Sequence, residues 1–240
     1  MLFINSGFLI LDTTVTSQNK KKMSGHSFVT LAGINQWSKR GDAILQLLGY
    51  YKPSFEKKYQ YRGDMAEKMV KFILDKQNKE YKTYNEDYKK KHNYDCFPEY
   101  KYCGGIPDFE LYKESTIIEV KSKSMAKYDD VKKEMPIEEV EQGCYYAFLR
   151  KYDYVKMAYV FFDEETEKSL FENKIPKTLD NCKIILKQIK VDHEKLKQEI
   201  SNALIFYNAC LDNKAIPIDD ISPEVLKALR EKGLLDTDGL

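Results

Sequence analysis

The sequence predicts a mixed α/β fold, with a central mixed β-sheet flanked by helices. Three observations carry that prediction. Residues 115–121 contain the β-branched run Thr116, Ile117, Ile118 and Val120, which suits a pleated strand. Tyr154 to Phe162 is almost continuously apolar, the pattern of a strand buried on both faces. Segments with helical spacing stand before, between and after these strands, as a layered architecture requires.

Taken in order, Met1 to Leu11 holds Leu2, Phe3, Ile4, Phe8, Leu9, Ile10 and Leu11, and Asp12 follows at once. The run has no basic flank and is too short to span a bilayer, so it reads as a strand docking on a core. Residues 16–25 are polar and basic and read as a linker, with Met23 as an alternative start of translation. Asn35 to Leu48 carries Trp37, Ala43, Ile44, Leu47 and Leu48 at roughly helical spacing and stops at Gly49. Arg62 to Gln77 is a stronger helix. Met65, Met69, Phe72 and Ile73 form its apolar stripe, and Lys68, Lys71 and Lys76 cover the other side.

Residues 78–95 are rich in Lys, Tyr, Asn and Asp and read as an exposed, mobile helix or loop. Strand-like segments follow at 97–103, 107–113 and 115–121, the last two joined as a hairpin at Lys113-Glu114. A helix over 136–150 opens on Pro136 and sets Glu138, Glu139 and Glu141 in its first turns, where the helix dipole favours anions. Residues 182–191 read as a strand and 192–211 as a long amphipathic helix. The tail, 215–240, contains a short helix after Ser222-Pro223 and ends in a polar, loose segment. The domain division expected is an extension over 1–22, a main domain over 23–211 and a tail over 212–240.

Composition bounds the function. Hydrophobic residues make up 42% of the 240, with 18 Tyr and 12 Phe, which excludes a disordered chain. Lys plus Arg number 39 against 38 acidic residues, so net charge alone gives no argument for a polyanionic partner. A nucleic-acid protein with this balance must segregate its charges. The five cysteines, Cys96, Cys103, Cys144, Cys182 and Cys210, are odd in number and form no C-x-x-C pair. That argues against a disulfide framework or zinc site and fits a reducing cytoplasm.

One constellation carries chemistry. Asp108 ends Gly104-Gly105-Ile106-Pro107-Asp108, and Glu119-Val120-Lys121 stands on the next strand. Alternation points Glu119 and Lys121 to the same face, and a hairpin brings Asp108 beside Glu119. Two carboxylates then meet one ammonium. Carboxylate oxygens suit Mg²⁺, or Mn²⁺ as its substitute, and the carbonyl of Val120 is a further oxygen donor. Such a metal activates water and neutralises charge developing on phosphorus, while a lysine holds the water or screens the phosphate. A surface hairpin with alternating Glu and Lys is the plainer alternative for this fragment. Glu67 lies beside the apolar stripe of the helix at 62–77, where a carboxylate calls for a cation unless it simply faces water. Gln142 and Tyr146, at i and i+4, offer an amide and a phenol from one helical face, unless Tyr146 packs in the core.

Together these pieces resemble the PD-(D/E)xK nuclease superfamily, and most closely the branch of phage lambda exonuclease and the YqaJ-type viral recombinases. Gly63-x-x-x-Glu67, Pro107-Asp108, Glu119-Val120-Lys121 and Gln142-x-x-x-Tyr146 stand in that family's order over roughly residues 27–165. The resemblance implies a restriction-endonuclease-like core, with Asp108 and Glu119 as metal ligands and Lys121 at the nucleophilic water. It implies Glu67 as helper to a second metal or its water, and Gln142 and Tyr146 near the phosphate. The main domain would be a nuclease domain digesting linear duplex DNA from an end, 5′→3′, in viral or prophage recombination or replication. Such enzymes form ring-shaped trimers, act beside a single-strand annealing protein, and work in the host cytoplasm, or in the nucleus if viral. Ser27 loosely matches the branch's DNA-end serine, with His26 where a basic residue is expected, and Lys39 and Arg40 are alternative phosphate contacts. The cysteines do not reproduce the iron–sulfur pattern of related CRISPR-associated nucleases. The rivals are a restriction- or repair-type endonuclease on the same fold and a DNA-binding protein that has lost catalysis. Lys20-Lys21-Lys22 and Lys89-Lys90-Lys91 read as solvated triplets rather than DNA contacts.

Overall fold

The computed structural model describes residues 2–12, 22–53, 56–171 and 182–236. Most of the expected 16–25 linker therefore lies outside the described residues, as do Lys20 and Lys21. In chain order the elements are β1 (Leu2–Asn5), β2 (Phe8–Ile10), α1 (Gly25–Leu31), α2 (Arg40–Leu47), α3 (Lys57–Lys76) and α4 (Glu86–Lys91). They continue with β3 (Phe109–Leu111), β4 (Thr116–Ser124), α5 (Tyr128–Lys133), α6 (Ile137–Arg150), β5 (Tyr154–Phe162) and α7 (Glu164–Phe171). The last are β6 (Lys183–Lys190), α8 (His193–Asp212), β7 (Ala215–Pro217), α9 (Pro223–Glu231) and β8 (Leu235–Asp236). The chain divides into two compact units, one of Ser54–Cys96 with Ile106–Asp192, the other of Met1–Pro53, Phe97–Gly105 and His193–Leu240.

The first unit is built on a mixed sheet in the order β3-β4-β5-β6. β3 runs antiparallel to β4, β4 parallel to β5, and β5 antiparallel to β6. Along β4 and β5 the side chains alternate between two covered faces. Ile118, Ala158, Val160 and Phe162 join Ala66, Val70 and Leu74 of α3 in one core. Each large side chain buried there, the Ile, Val, Leu and Phe, contributes about 1.5–3 kcal/mol of transfer free energy. The opposite face carries Glu119 and Lys121 of β4 beside Met157 and Tyr159 of β5, their register partners. α6 lies close on that face. A Cβ at Gly143 would sit 2.7 Å from Val155 Cγ2 and 3.3 Å from Glu119 Cβ, so only glycine lets the helix come this near the acidic strand.

The connection between β3 and β4 is a 3₁₀ turn over Tyr112–Glu114, closed by Ser115 in the left-handed region at φ 47°. It makes the hairpin expected at Lys113-Glu114. Residues 78–95 are less loose than their composition suggests. Lys82 pairs with Glu110 through two backbone hydrogen bonds of 2.8 and 2.9 Å, and Asn85 caps α4 through Tyr88 N. The expected strand 97–103 is absent. Pro98 lacks a ladder donor, and only Cys103 makes a bridge, to Met23 in the second unit.

The second unit has its own four-stranded sheet, ordered β7-β2-β1-β8. β1 and β2 form a hairpin whose turn, Ser6-Gly7, has positive φ at both positions, the primed-turn geometry that matches strand twist. β8 joins β1 in parallel and β7 joins β2 antiparallel. The segment after 215 thus contributes, besides the expected short helix, two strands that pair with the first residues and that the sequence reading did not foresee. Its short strands carry one or two apolar residues each, too few to register as strands until a partner edge is present. α2 starts at Arg40, later than the periodicity from Asn35 indicates, because the Asn35 side chain accepts the Trp37 amide at 2.9 Å and holds a turn there. Among the described residues no helix is long and apolar enough to cross a membrane.

Candidate active site

Glu119, Lys121 and Gln142 are brought together on the α6 face of the sheet, with Asp108 tied to the same strand and Glu67 of α3 within their electrostatic range. Asp108 enters at the head of β3, directly after Pro107. Its Oδ2 accepts the backbone amide of Val120 at 2.6 Å, which ties the carboxylate to the middle of β4. Glu119 and Lys121 project from β4 on the same face, and the Lys121 ammonium donates to Glu119 Oε1 at 2.9 Å. Gln142 of α6 closes the group. Its Oε1 accepts from Lys121 at 3.0 Å and its Nε2 donates to the same Glu119 oxygen at 2.9 Å. Both Gln142 contacts follow from one turn of α6 resting on the strand at Gly143.

This leaves an uneven arrangement of partners. Glu119 Oε1 receives two donors, whereas Glu119 Oε2 is buried and has no hydrogen-bond partner. Burial pushes the Glu119 carboxyl up to about 7, against the pull of Lys121 and with added repulsion from Asp108. Burial likewise pushes Asp108 up to about 7, with Glu67 adding to the rise and Lys121, the Val120 amide and Lys89 opposing it. Glu67, half-buried on α3, is raised by burial first. Lys89 pulls it down, and Asp64 and Glu119 push it up. Lys121 is raised as well. Burial alone would lower it, but Glu119 and Asp108 more than offset that, so the ammonium stays protonated at neutral pH.

The donor set suits a hard divalent cation. Two carboxylates forced together in a low-dielectric site are costly without a cation between them, and one oxygen is left without a donor. No three His, Cys, Asp or Glu side chains among the described residues converge tightly enough to hold a metal by themselves. A cation there would need oxygen donors other than acidic side chains to complete its shell.

These shifts set a pH dependence with a definite sign. The unfolded chain releases both protons near pH 4, whereas the folded chain keeps them to about 7. Between those values the native state binds more protons, so its stability falls as pH rises. In excess chelator, the midpoint of thermal unfolding should therefore decline from pH 5 to pH 7.5. Asp108→Asn should flatten that decline, and an unchanged slope in the variant would exclude Asp108 as a source.

The remaining expected residues are placed as follows. Tyr146 is buried on α6, with its ring 5.5 Å from that of Tyr145. Ser27, Lys39 and Arg40 belong to the second unit and make internal contacts there. Ser27 Oγ lies 3.2 Å from Ser24 Oγ, and Lys39 Nζ donates to Asp219 O at 2.9 Å. Arg40 Nε donates to Leu31 O, and its guanidinium sits 3.4 Å from the Phe206 ring centroid. The sequence reading did not single out Lys123, two residues beyond Lys121 on the same face, whose ammonium pairs with Glu139 of α6 at 2.6 Å. Lys89, read in the sequence as part of a solvated triplet, keeps only 27% of its side-chain surface. Strand alternation would have found Lys123, whereas Lys89 sits in a lysine triplet that has no directional signal.

The architecture has solved counterparts. A phage-related exonuclease from Haemophilus somnus 129PT superposes with a TM-score of 0.57 at 16% identity, covering 80% of this chain and 96% of that one. The alkaline exonuclease LHK-Exo from Laribacter hongkongensis superposes with a TM-score of 0.54 at 12% identity, covering 92% and 98%. The chain has the fold of these exonucleases. A second structure of LHK-Exo, in complex with dAMP, gives a TM-score of 0.53 at 14% identity, covering 88% and 93%. No protein-family model and no curated protein matches the sequence. At these identities the likeness is one of chain path, and the chemistry must be argued from the side chains themselves.

Proposed function

We propose that this chain is a Mg²⁺-dependent deoxyribonuclease of the PD-(D/E)xK type that digests linear duplex DNA from an end, with 5′→3′ polarity. The observation that carries the reading is the bonded cluster of Glu119, Lys121 and Gln142, with Asp108 anchored to Val120 beside it. The exonuclease fold supports the same reading. A Mg²⁺ held by Asp108, Glu119 and the Val120 carbonyl would supply an activated water and neutralise charge at phosphorus. Lys121, protonated and fixed by two oxygen acceptors, orients that water and donates to a phosphate oxygen; it does not serve as a base. Gln142 keeps the ammonium aligned and occupies one lobe of Glu119, leaving Oε2 for the cation. Glu67 extends the acidic group toward a second metal or its water.

On this reading the substrate is duplex DNA with a free end, and the product is a nucleoside monophosphate. A trimeric ring and a single-strand annealing partner belong to the same proposal. Incubation with end-labelled linear duplex and with closed circular duplex, each with Mg²⁺ or with chelator, tests it. Linear DNA should shorten only with Mg²⁺ while circles persist. Nicking of the circles would replace the exonuclease with an endonuclease, and intact linear DNA would refute the nuclease reading.

A further inference from the structure

Lys89 of α4 is a second ammonium within electrostatic range of the acidic group. The segment that carries it is fastened to the strand bearing Asp108. Lys82 bridges Glu110 through backbone hydrogen bonds, Thr83 Oγ1 donates to the Asp108 carbonyl at 3.2 Å, and the Tyr84 hydroxyl bonds the Glu110 carboxylate. Asn85 then caps α4, which carries Lys89 one turn later. Its neighbours Lys90 and Lys91 are exposed, whereas the Lys89 side chain keeps only 27% of its surface. Among the described residues its ion pair at contact distance is to Glu86, 3.2 Å away and 64% exposed, a partner held weakly in water. Its ammonium is also in the electrostatic range of Glu67 and Asp108.

Resting on the nuclease reading above, we propose that Lys89 binds a phosphate of the DNA at this site. Without a cation the ammonium offsets the charge of Glu67 and Asp108. A divalent ion at the acids takes over that role, and Lys89, with only the loose Glu86 contact to give up, is left to neutralise a DNA phosphate. Two lysines from separate elements then flank the backbone, Lys121 at the attacked phosphate and Lys89 on the α4 side.

The test measures binding of a fluorescent linear duplex in Mg²⁺ by the full chain carrying Lys121→Ala, which keeps the DNA intact. Lys89→Gln is added and the titration repeated at several salt concentrations. One lost phosphate contact reduces the slope of log K against log salt by about 0.9, so the affinity lost between about 50 and 200 mM salt shrinks by about 3.5-fold. The dissociation constant at the lower salt should rise several-fold, and Lys89→Arg should restore both quantities. Unchanged slope and affinity in Lys89→Gln, in a background that binds DNA, overturn the assignment of Lys89 alone. A wild-type chain that neither binds nor cuts DNA overturns the nuclease reading and this inference with it.

Discussion

Lys121→Ala should lower DNA cleavage on the order of 10³-fold while leaving the protein folded, because the role proposed for Lys121 is that of a fixed charge at the reacting phosphate. The size of the effect follows from how completely Lys121 is held. Its ammonium has two bonded acceptors on the same face, Glu119 and Gln142, and only 18% of its side chain is exposed. Water cannot substitute for such a group at an equivalent position. Stability should change little, since Glu119 retains the Gln142 donor at 2.9 Å and, without a cation, becomes protonated instead of bearing an unpaired charge. Cleavage rate and thermal midpoint measured on one preparation separate the two effects. Activity within a few-fold of wild type would remove Lys121 from the chemistry.

Arg150→Met should instead destabilise the protein by about 3–5 kcal/mol, the usual consequence of stripping the partner from a buried charge. Arg150, in the last turn of α6, lies 2.9 Å from the Glu110 carboxylate. It also donates to the Tyr84 hydroxyl at 2.8 Å and to the Cys96 carbonyl at 2.9 Å. Glu110 is only 3% exposed, so its charge has no recourse to water once the guanidinium is gone. For a chain of this size the thermal midpoint should fall by about 10 °C. The same network fastens Tyr84, and through it α4, to β3, so DNA affinity should weaken alongside stability. A midpoint within two or three degrees of wild type would mean that Glu110 finds another partner.

The parts of this protein that were legible in the sequence are those fixed by local pattern. The apolar run of β5 and the β-branched start of β4 each predict their own burial, and strand alternation alone puts Glu119 and Lys121 on one face. The stripe read on α3 is displaced: Ala66, Val70 and Leu74 are its buried residues, whereas Phe72 is 58% exposed. The small terminal strands were not legible, because their stability comes from pairing between residues more than 200 positions apart, such as Leu2 with Leu235. Lys89 was hidden for a related reason. Nothing local distinguishes it from Lys90 and Lys91, and only the hydrogen bonds of Thr83 and Tyr84 to the neighbouring strand decide which of the three turns inward. Gly143 belongs with them. A glycine inside a helix registers in sequence only as a weak helix former, and the 2.7 Å approach to Val155 that requires it is a tertiary fact.

Calorimetric titration of Mn²⁺ into the chelator-stripped protein bears on the acidic pair more directly than any activity assay. Wild type should bind the ion with proton release below pH 7, and the Asp108→Asn, Glu119→Gln double variant, still folded, should show no heat of binding. Equal binding by the two proteins, or none by wild type, would contradict the account.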